Sequence, residues 1–395
     1  MRSTITALTL ATTMLSAALP ALATPPKDAP ALLPVEHVAA LTGAMPTGVT
    51  VAPSGRIFLN YPQWGDKSPF AVAELKDGKV SPYPDTAFNQ ADTAHADQHL
   101  ISVQSVVADG ANRLWILDTG APGFAAPIPG GAKLVAVDLA TDQVVRTIVL
   151  GDETVLPTTY LNDVRFDLRQ GSAGVAYITD SSVKGPGGLI VVDLATGKAL
   201  RRLSGHPTTM PDPGFKPTVE GKVLMSRPKG QTPSPWLVAT DGIAISADGA
   251  TLYYCALSSR HFYAVPTALL RDPSVTDATI AAAIRDLGPK APSDGLAEDD
   301  KGRLYAGDYE HGTIRRFEDV VPSGGKGKAG AHWQTIAKDP AILWPDTLSV
   351  GTDGYLYFTA NQLYRQAGFN EGVDKRRQPY ELLRIRIDAG PVLLK

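Results

Sequence analysis

Six polar residues stand at matching places in this chain: Thr47, Gln104, Asn162, Asp241, Asp294 and Asp346, separated by 57, 58, 79, 53 and 52 residues. Each opens one recurring phrase, in which an apolar run, a turn of Asp/Gly/Asn/Ser type and a second run centred on an aromatic residue follow. The copies are TGVTVAPSGRIFLN (47–60), QSVVADGANRLWIL (104–117), NDVRFDLRQGSAGVAYIT (162–179), DGIAISADGATLYYC (241–255), DGLAEDDKGRLYAG (294–307) and DTLSVGTDGYLYFT (346–359). If the openings meet on one axis, three carboxylates and the amide oxygen of Asn162 crowd a small volume, and they repel unless something positive joins them. Oxygen ligands suit a hard cation of the Ca²⁺ type held by Asn162, Asp241 and Asp294. Zn²⁺ is less favoured, because no His or Cys stands at these positions. The other solution is a carboxyl whose pKa rises until it can act as acid or base, and Asp294 is the candidate base. Asp and Asn also open ordinary turns and strands. That simpler account covers single Asp-Gly pairs better than it covers six aligned openings.

The elements that must position these residues are hairpins, since each phrase is a strand, a tight turn and a strand. Further strand pairs follow in most copies, most clearly Lys133–Leu139 with Gln143–Leu150 and Gly188–Leu194 with Ala199–Leu203. Four antiparallel strands, repeated six times, specify an all-β fold: a six-bladed β-propeller with four-stranded blades around a central channel. Helix-period segments are few; Pro266–Leu270 and Asp277–Ile284 are the best candidates, and neither is long.

Propeller topology converts position into place. Connections between blades, and turns between second and third strands, open on the face where each inner strand starts. The long segments Asp85–Leu100, Asp118–Gly131, Gly151–Leu161, Gly205–Thr240, Pro322–Pro345 and Gln362–Tyr380 are all assigned to that face. Long structured loops carry function, and Gly205–Thr240, rich in Pro and Gly, is the lid candidate. Near the same rim stand Asn361 as a ligand-binding candidate, with Gln362 beside it, and His311 as a weaker candidate proton shuttle. His95 and His99 could reach the rim from the linker before the second blade. Asp118, Asp180 and Asp308 share one aligned position and are expected to cap second strands.

Composition narrows the function classes. A formal charge of -3 argues against a dedicated nucleic-acid binder, and the short run Lys375-Arg376-Arg377 is expected to be a solvated loop. The single Cys255 excludes an intramolecular disulfide; in an apolar strand it is expected to be a buried small hydrophobe. Arg2, the apolar stretch Leu8–Leu19 and Ala21-Leu22-Ala23 form a signal-peptide pattern over 1–23. Its apolar stretch is too short and Thr-rich to span a membrane. A disordered lead-in is expected at 24–34 and a single propeller domain at 35–395. The mature protein is expected to be exported, to the periplasm or beyond, as a monomer without a membrane span. No G-x-S-x-G elbow, P-loop, H-E-x-x-H or C-x-x-C motif is present, and no nucleotide, flavin or haem is indicated.

The stretches LNDVRFD (161–167), AYITDS (176–181), LYYCALSSRHFYAVPTALLRD (252–272) and LWPDTLSVGTDGYLYFTANQLYRQ (343–366) resemble the yellow / major royal jelly protein family, in its bacterial branch. The resemblance covers nearly all of the expected mature chain. It implies a six-bladed propeller whose channel mouth binds small ligands such as biogenic amines, and some insect members are linked to dopachrome conversion. More broadly the chain resembles the SMP-30/gluconolactonase propellers, whose metal site uses Glu, Asn, Asn and Asp at inner-strand starts. By that resemblance Asn162 matches an amide ligand, Asp294 matches the carboxylate that doubles as base, and Asp241 replaces an Asn. Thr47 falls near the place of the missing Glu, a departure that bears on metal affinity. The leading expectation is a small organic ligand (aromatic amine, catechol or lactone) held by Thr47, Gln104, Asn162, Asp241, Asp294, Asp346 and Asn361. The alternatives are a metal-assisted lactone hydrolase, a dopachrome-type tautomerase, or a protein–protein platform, which the crowded loop face fits poorly.

Overall fold

In the inner hairpins nearly every residue is buried, so both strand faces must meet apolar neighbours, and a single sheet cannot provide them. The computed structural model, which describes residues 31–318 and 332–395, resolves this by radial stacking of six four-stranded antiparallel sheets. The signal-peptide expectation and most of the lead-in lie outside the described residues. From channel to rim, the first blade runs Gly48–Val51, Ile57–Asn60, Val72–Lys76 and Lys79–Pro82. The second runs Val103–Ala108, Arg113–Asp118, Lys133–Asp138 and Gln143–Val149, and the third Leu161–Asp167, Val175–Asp180, Gly188–Asp193 and Ala199–Arg202. The fourth is Thr240–Ile245, Thr251–Ala256, His261–Pro266 and Arg285–Pro289, and the fifth Leu296–Glu298, Leu304–Asp308, Thr313–Glu318 and His332–Lys338.

The sixth blade closes the ring across the whole chain. Trp344–Val350, Tyr355–Asn361 and Tyr380–Arg386 are completed by Val35–Leu41, which pairs antiparallel with the last of them from Val35↔Ile385 to Leu41↔Tyr380. Adjacent inner strands touch all the way round, the first against the sixth included. One apolar cluster fills the interface between each pair of neighbouring blades. Trp115 and Leu134 meet Val164 and Ile190 between the second and third, for example, and Tyr305 meets Leu348 and Phe358 between the fifth and sixth. Cys255 is fully buried in the fourth blade, its Sγ 3.7 Å from Ser293 Oγ.

Short helices fall at Thr267–Arg271 and Asp277–Ala282, as the periodicity indicates, and a further one at Thr86–Asn89. Among the described residues no helix is long and apolar enough to cross a membrane. One loop assignment needs correction. Pro322–Pro345 is not a single connection, because His332–Lys338 within it is the outer strand of the fifth blade; residues 319–331 lie outside the described residues. At the channel end opposite the long loops, residues 391–394 pass beneath the inner strands, with Leu168 N donating to Leu394 O at 2.8 Å.

Candidate functional site

Register irregularities in the inner strands turn the site residues out of their ladders. In the second blade the pairing skips between Val103 and Ser105, releasing Gln104. In the third it skips between Leu161 and Val164, around Asn162, and in the fourth between Thr240 and Ile243, around Asp241. In the sixth it skips between Pro345 and Leu348, around Asp346, and in the fifth the pairing begins only at Leu296, beyond Asp294. Bulges of this kind re-aim side chains beside functional sites. The outcome is one cavity at the loop-bearing end of the channel, lined by Gln104, Asn162, Asp241, Asp294 and Asp346 together.

Thr47 does not join them. Its hydroxyl takes the Asn60 Nδ2 donor at 2.9 Å, and its carbonyl accepts from Thr359, so it is fully buried in the seam between the first and last blades. Asn361 stands behind the cavity: its Nδ2 donates to Asp346 Oδ2 at 2.6 Å and its Oδ1 accepts from Leu363 N at 3.0 Å. The His311 ring is largely exposed, pairs with Asp308 at 2.9 Å and does not line the cavity. His95 is exposed and pairs with Asp92, and His99 also stays outside the cavity lining. Asp118 and Asp180 are fully buried caps. Asp118 accepts from Ile101 N, Ser102 N, Gly120 N and Lys133 Nζ; Asp180 accepts from Tyr160 N and pairs with Arg201 at 2.8 Å. They fasten inter-blade connections to strands, which is how Tyr160 reaches its place. Asp308 serves its own turn, accepting from Glu310 N and His311 N.

The cavity walls are aromatic and come from the long connections. Phe124 stacks between Tyr160, at 4.3 Å, and Trp64, at 5.4 Å. Trp64 Nε1 donates to Tyr160 OH at 2.7 Å, and Tyr160 OH donates to Gln104 Oε1 at 2.9 Å, tying the stack to the floor. Opposite, Trp236 meets Phe369 edge-on at 5.1 Å, and Val238, Leu257 and Leu363 complete the apolar lining. None of these wall residues follows from the repeat. The signal that points to them is an aromatic residue in each of several otherwise polar connections on one face. Trp236 also gives a role to Gly205–Thr240, whose two short ribbons, Thr218–Val219 with Lys222–Val223 and Met225–Ser226 with Ser234–Pro235, lead up to it.

The floor is three buried carboxyl groups. Asp241 Oδ2 sits 2.8 Å from Ser181 Oγ, while Asp241 Oδ1 is buried without a hydrogen-bond partner. Asp294 Oδ2 accepts from Trp344 Nε1 at 2.7 Å, and the Trp344 indole is itself stacked on Tyr309 at 4.1 Å. Burial is the first cause raising all three above the ordinary carboxylate range. Asp241 and Asp346 are pushed well up, helped by the charge of Asp294, whereas Asp294 reaches only about 6. Asp294 is raised least because the neighbouring Asp241 carboxyl and the Trp344 indole favour its ionised form, with the charge of Lys290 adding to them. The two carboxyls thus differ in role: Asp241, raised further, favours its neutral form, and Asp294 ionises the more readily.

The donor types suit a hard cation such as Ca²⁺, and the unpartnered Asp241 Oδ1 is the atom it would satisfy. Among the described residues, no three His, Cys, Asp or Glu side chains converge closely enough to hold a metal as they stand.

A family model described as major royal jelly protein matches residues 101–390. Protein yellow of Drosophila subobscura is 28% identical over 277 residues, covering 66% of this chain and 46% of that protein. Protein yellow of Drosophila melanogaster is 26% identical over 275 residues, covering 66% and 48%. The chain therefore spans about half the length of the curated relatives it matches. Among solved structures, a luciferin-regenerating enzyme superposes with a TM-score of 0.53 at 13% identity, covering 92% of this chain and 99% of that one. A putative gluconolactonase superposes with a TM-score of 0.51 at 11% identity, covering 92% and 95%. At such identities the likeness to solved structures is one of fold.

Proposed function

The chain belongs to the major royal jelly protein family, and we propose that it is an exported propeller that captures a small aromatic amine at the loop-bearing mouth of its channel. The observation that carries this reading is an acidic floor, Asp241, Asp294 and Asp346, beneath the aromatic walls Trp64, Phe124, Tyr160 and Trp236. An organic ammonium satisfies both at once, through a charge-assisted hydrogen bond to a carboxylate and through the negative faces of the rings. Asp294, the most readily ionised of the three, receives the ammonium, and the amides of Gln104 and Asn162 are at hand for a ring hydroxyl. The cavity encloses only about 20 Å³ in this conformation, room for a water molecule. Binding therefore requires Phe124 and Trp236, both on connections outside the blades, to swing apart.

Calorimetric titration with tyramine, and with p-cresol as the same ring lacking the ammonium, tests the reading. Tyramine is expected to bind about tenfold or more tightly than p-cresol, as one charge-assisted hydrogen bond implies. Equal affinities, or no binding of either, would overturn it.

The orphaned Asp241 Oδ1 favours a second reading, a metal-assisted lactone hydrolase. Asn162, Asp241 and Asp294 would hold the divalent cation, which would polarise a lactone carbonyl. This version requires Ca²⁺ to bind with a heat that Asp294→Asn abolishes, and lactone hydrolysis that a chelator stops. A protein that takes up no Ca²⁺ excludes it. A tautomerase would use Asp294 alone as the base.

A further inference from the structure

We propose that the cleft between residues 219–227 and 364–377 is a second binding site, distinct from the channel, for a small organic molecule carrying two or more negative charges. The cleft measures about 310 Å³, at the lower end of the range for ligand pockets (about 300–1,000 Å³). Its charged lining is one-sided: Lys222, Arg227, Arg365, Lys375 and Arg377 against the single acid Glu220. This concentration sits on a chain whose formal charge is -3.

Glu220 is already engaged. Its carboxylate pairs with Arg365 and accepts from Tyr364 OH at 2.9 Å, and Arg365 also donates to Gln362 Oε1 at 3.1 Å. The Arg227 guanidinium donates to the backbone carbonyl of Val223 at 3.3 Å and pairs with no carboxylate among the described residues. Lys222, Lys375 and Arg377 form no ion pair with any described residue. Like charges gathered at one rim repel one another. A fold tolerates this where a multivalent anion collects it, through charge-assisted bonds from both sides.

The backbone holds the two sides together rather than leaving them as free loops. Arg227 N donates to Gly368 O at 2.7 Å, and Glu371 N donates to Arg227 O at 2.8 Å. Within the second segment, Lys375 N donates to Arg365 O at 2.8 Å and Arg377 N to Gln362 Oε1 at 2.8 Å. The run Lys375-Arg376-Arg377 is thus divided. Arg376 forks onto both Asp66 oxygens at 2.7 Å, anchoring the segment to the first blade, while Lys375 and Arg377 line the cleft. Behind the charges Leu224 and Phe369 supply apolar surface for a carbon frame.

The test uses inorganic pyrophosphate as the multivalent probe and acetate as the single-charge control, titrated calorimetrically into the whole protein at low ionic strength. Pyrophosphate is expected to bind at one site, and acetate not to bind. Affinity should fall about tenfold or more between low salt and 0.2 M NaCl, since the exposed charges are screened within a Debye length of about 8 Å at 0.15 M. The double variant K375A/R377A is expected to lose at least roughly tenfold, and K222A, on the opposite side, several-fold. Melting temperatures of the variants should match the parent, because all three side chains are exposed. No pyrophosphate binding, equal binding of acetate, or affinity unchanged in both variants would overturn the proposal. Titration with tyramine reads the channel site separately, so the two proposals fail independently.

Discussion

Gly295 lies directly against the backbone carbonyl of Asp346: its amide donates to that oxygen at 2.9 Å, and a Cβ built on it would come within 2.4 Å. A Cβ built on Gly242 would likewise come within 2.4 Å of the carbonyl oxygen of Asp294. The Asp-Gly pairs at 241–242 and 294–295 are therefore contacts between neighbouring blades rather than turns. Each glycine lets the next blade's aspartate come close enough to share one cavity. Gly295→Ala is expected to force the fifth and sixth blades apart and cost about 1–3 kcal/mol. It should also displace Asp346 from the cavity floor. A lowered melting temperature together with loss of tyramine binding checks this; a variant as stable as the parent would mean that the seam gives way freely.

Asp241 and Asp294 should respond differently to neutralisation. Burial and the charge of Asp294 push Asp241 toward its neutral form, so Asp241→Asn exchanges one hydrogen-bonding group for another of the same shape, and tyramine affinity is expected to change less than about threefold. Asp294→Asn removes the carboxylate that meets the ammonium, and the loss should be about tenfold to a hundredfold. Affinity for p-cresol should be nearly unchanged in both. Equal losses of tyramine affinity in the two variants would contradict the division of roles between them.

The repeat was legible because turn chemistry and apolar runs are local signals, and the six phrase copies coincide with the six inner hairpins. The closing strand Val35–Leu41 carries no copy of the phrase, and its partner Tyr380–Arg386 lies at the far end of the chain, so no local pattern announces the pairing. The floor of the site could be read for the same reason as the hairpins, since Gln104, Asn162, Asp241, Asp294 and Asp346 occupy one aligned position. Thr47 holds that position too, but the Asn60 amide captures it, a competition that alignment alone does not reveal. The aromatic walls depend on loop conformation, and loops have no periodicity to read.

Phe124 occupies the middle of the aromatic stack at φ 58, a left-handed backbone conformation that costs a non-glycine residue of order 1 kcal/mol. Truncation should therefore separate binding from stability. Phe124→Gly and Phe124→Ala both lose the ring that faces the ligand, and each is expected to weaken tyramine about tenfold. That factor corresponds to the roughly 0.5–1.5 kcal/mol of an aromatic pair plus lost burial. The glycine variant, freed of the backbone strain, should be the more stable of the two by about 1 kcal/mol. Chemical denaturation of both variants provides the comparison; an alanine variant of equal or greater stability would show that the strain is relieved elsewhere.

Glu298 offers a pH test far from the ligand. It lines the cavity at the opposite end of the channel; its Oε1 accepts from Ala247 N at 2.9 Å, and its Oε2 is buried without a partner. Burial, with the charges of Asp299 and Asp248 adding to it, pushes its pKa to about 7, against an ordinary value of 4.5. Between those two values the folded chain holds a proton that the unfolded chain has released, so stability falls as pH rises through the window and levels off above it. The whole shift corresponds to about 3.5 kcal/mol, at about 1.4 kcal/mol per unit. Asp241, Asp294 and Asp346 act in the same direction, so the parent should be distinctly more stable at pH 5 than at pH 8. Glu298→Gln removes one contributor, and the difference in unfolding free energy between the two pH values should shrink by about 2.5 kcal/mol. Denaturant titrations of parent and variant at both pH values measure that difference, and identical differences would place Glu298 ionised, at its ordinary pKa, in the folded protein.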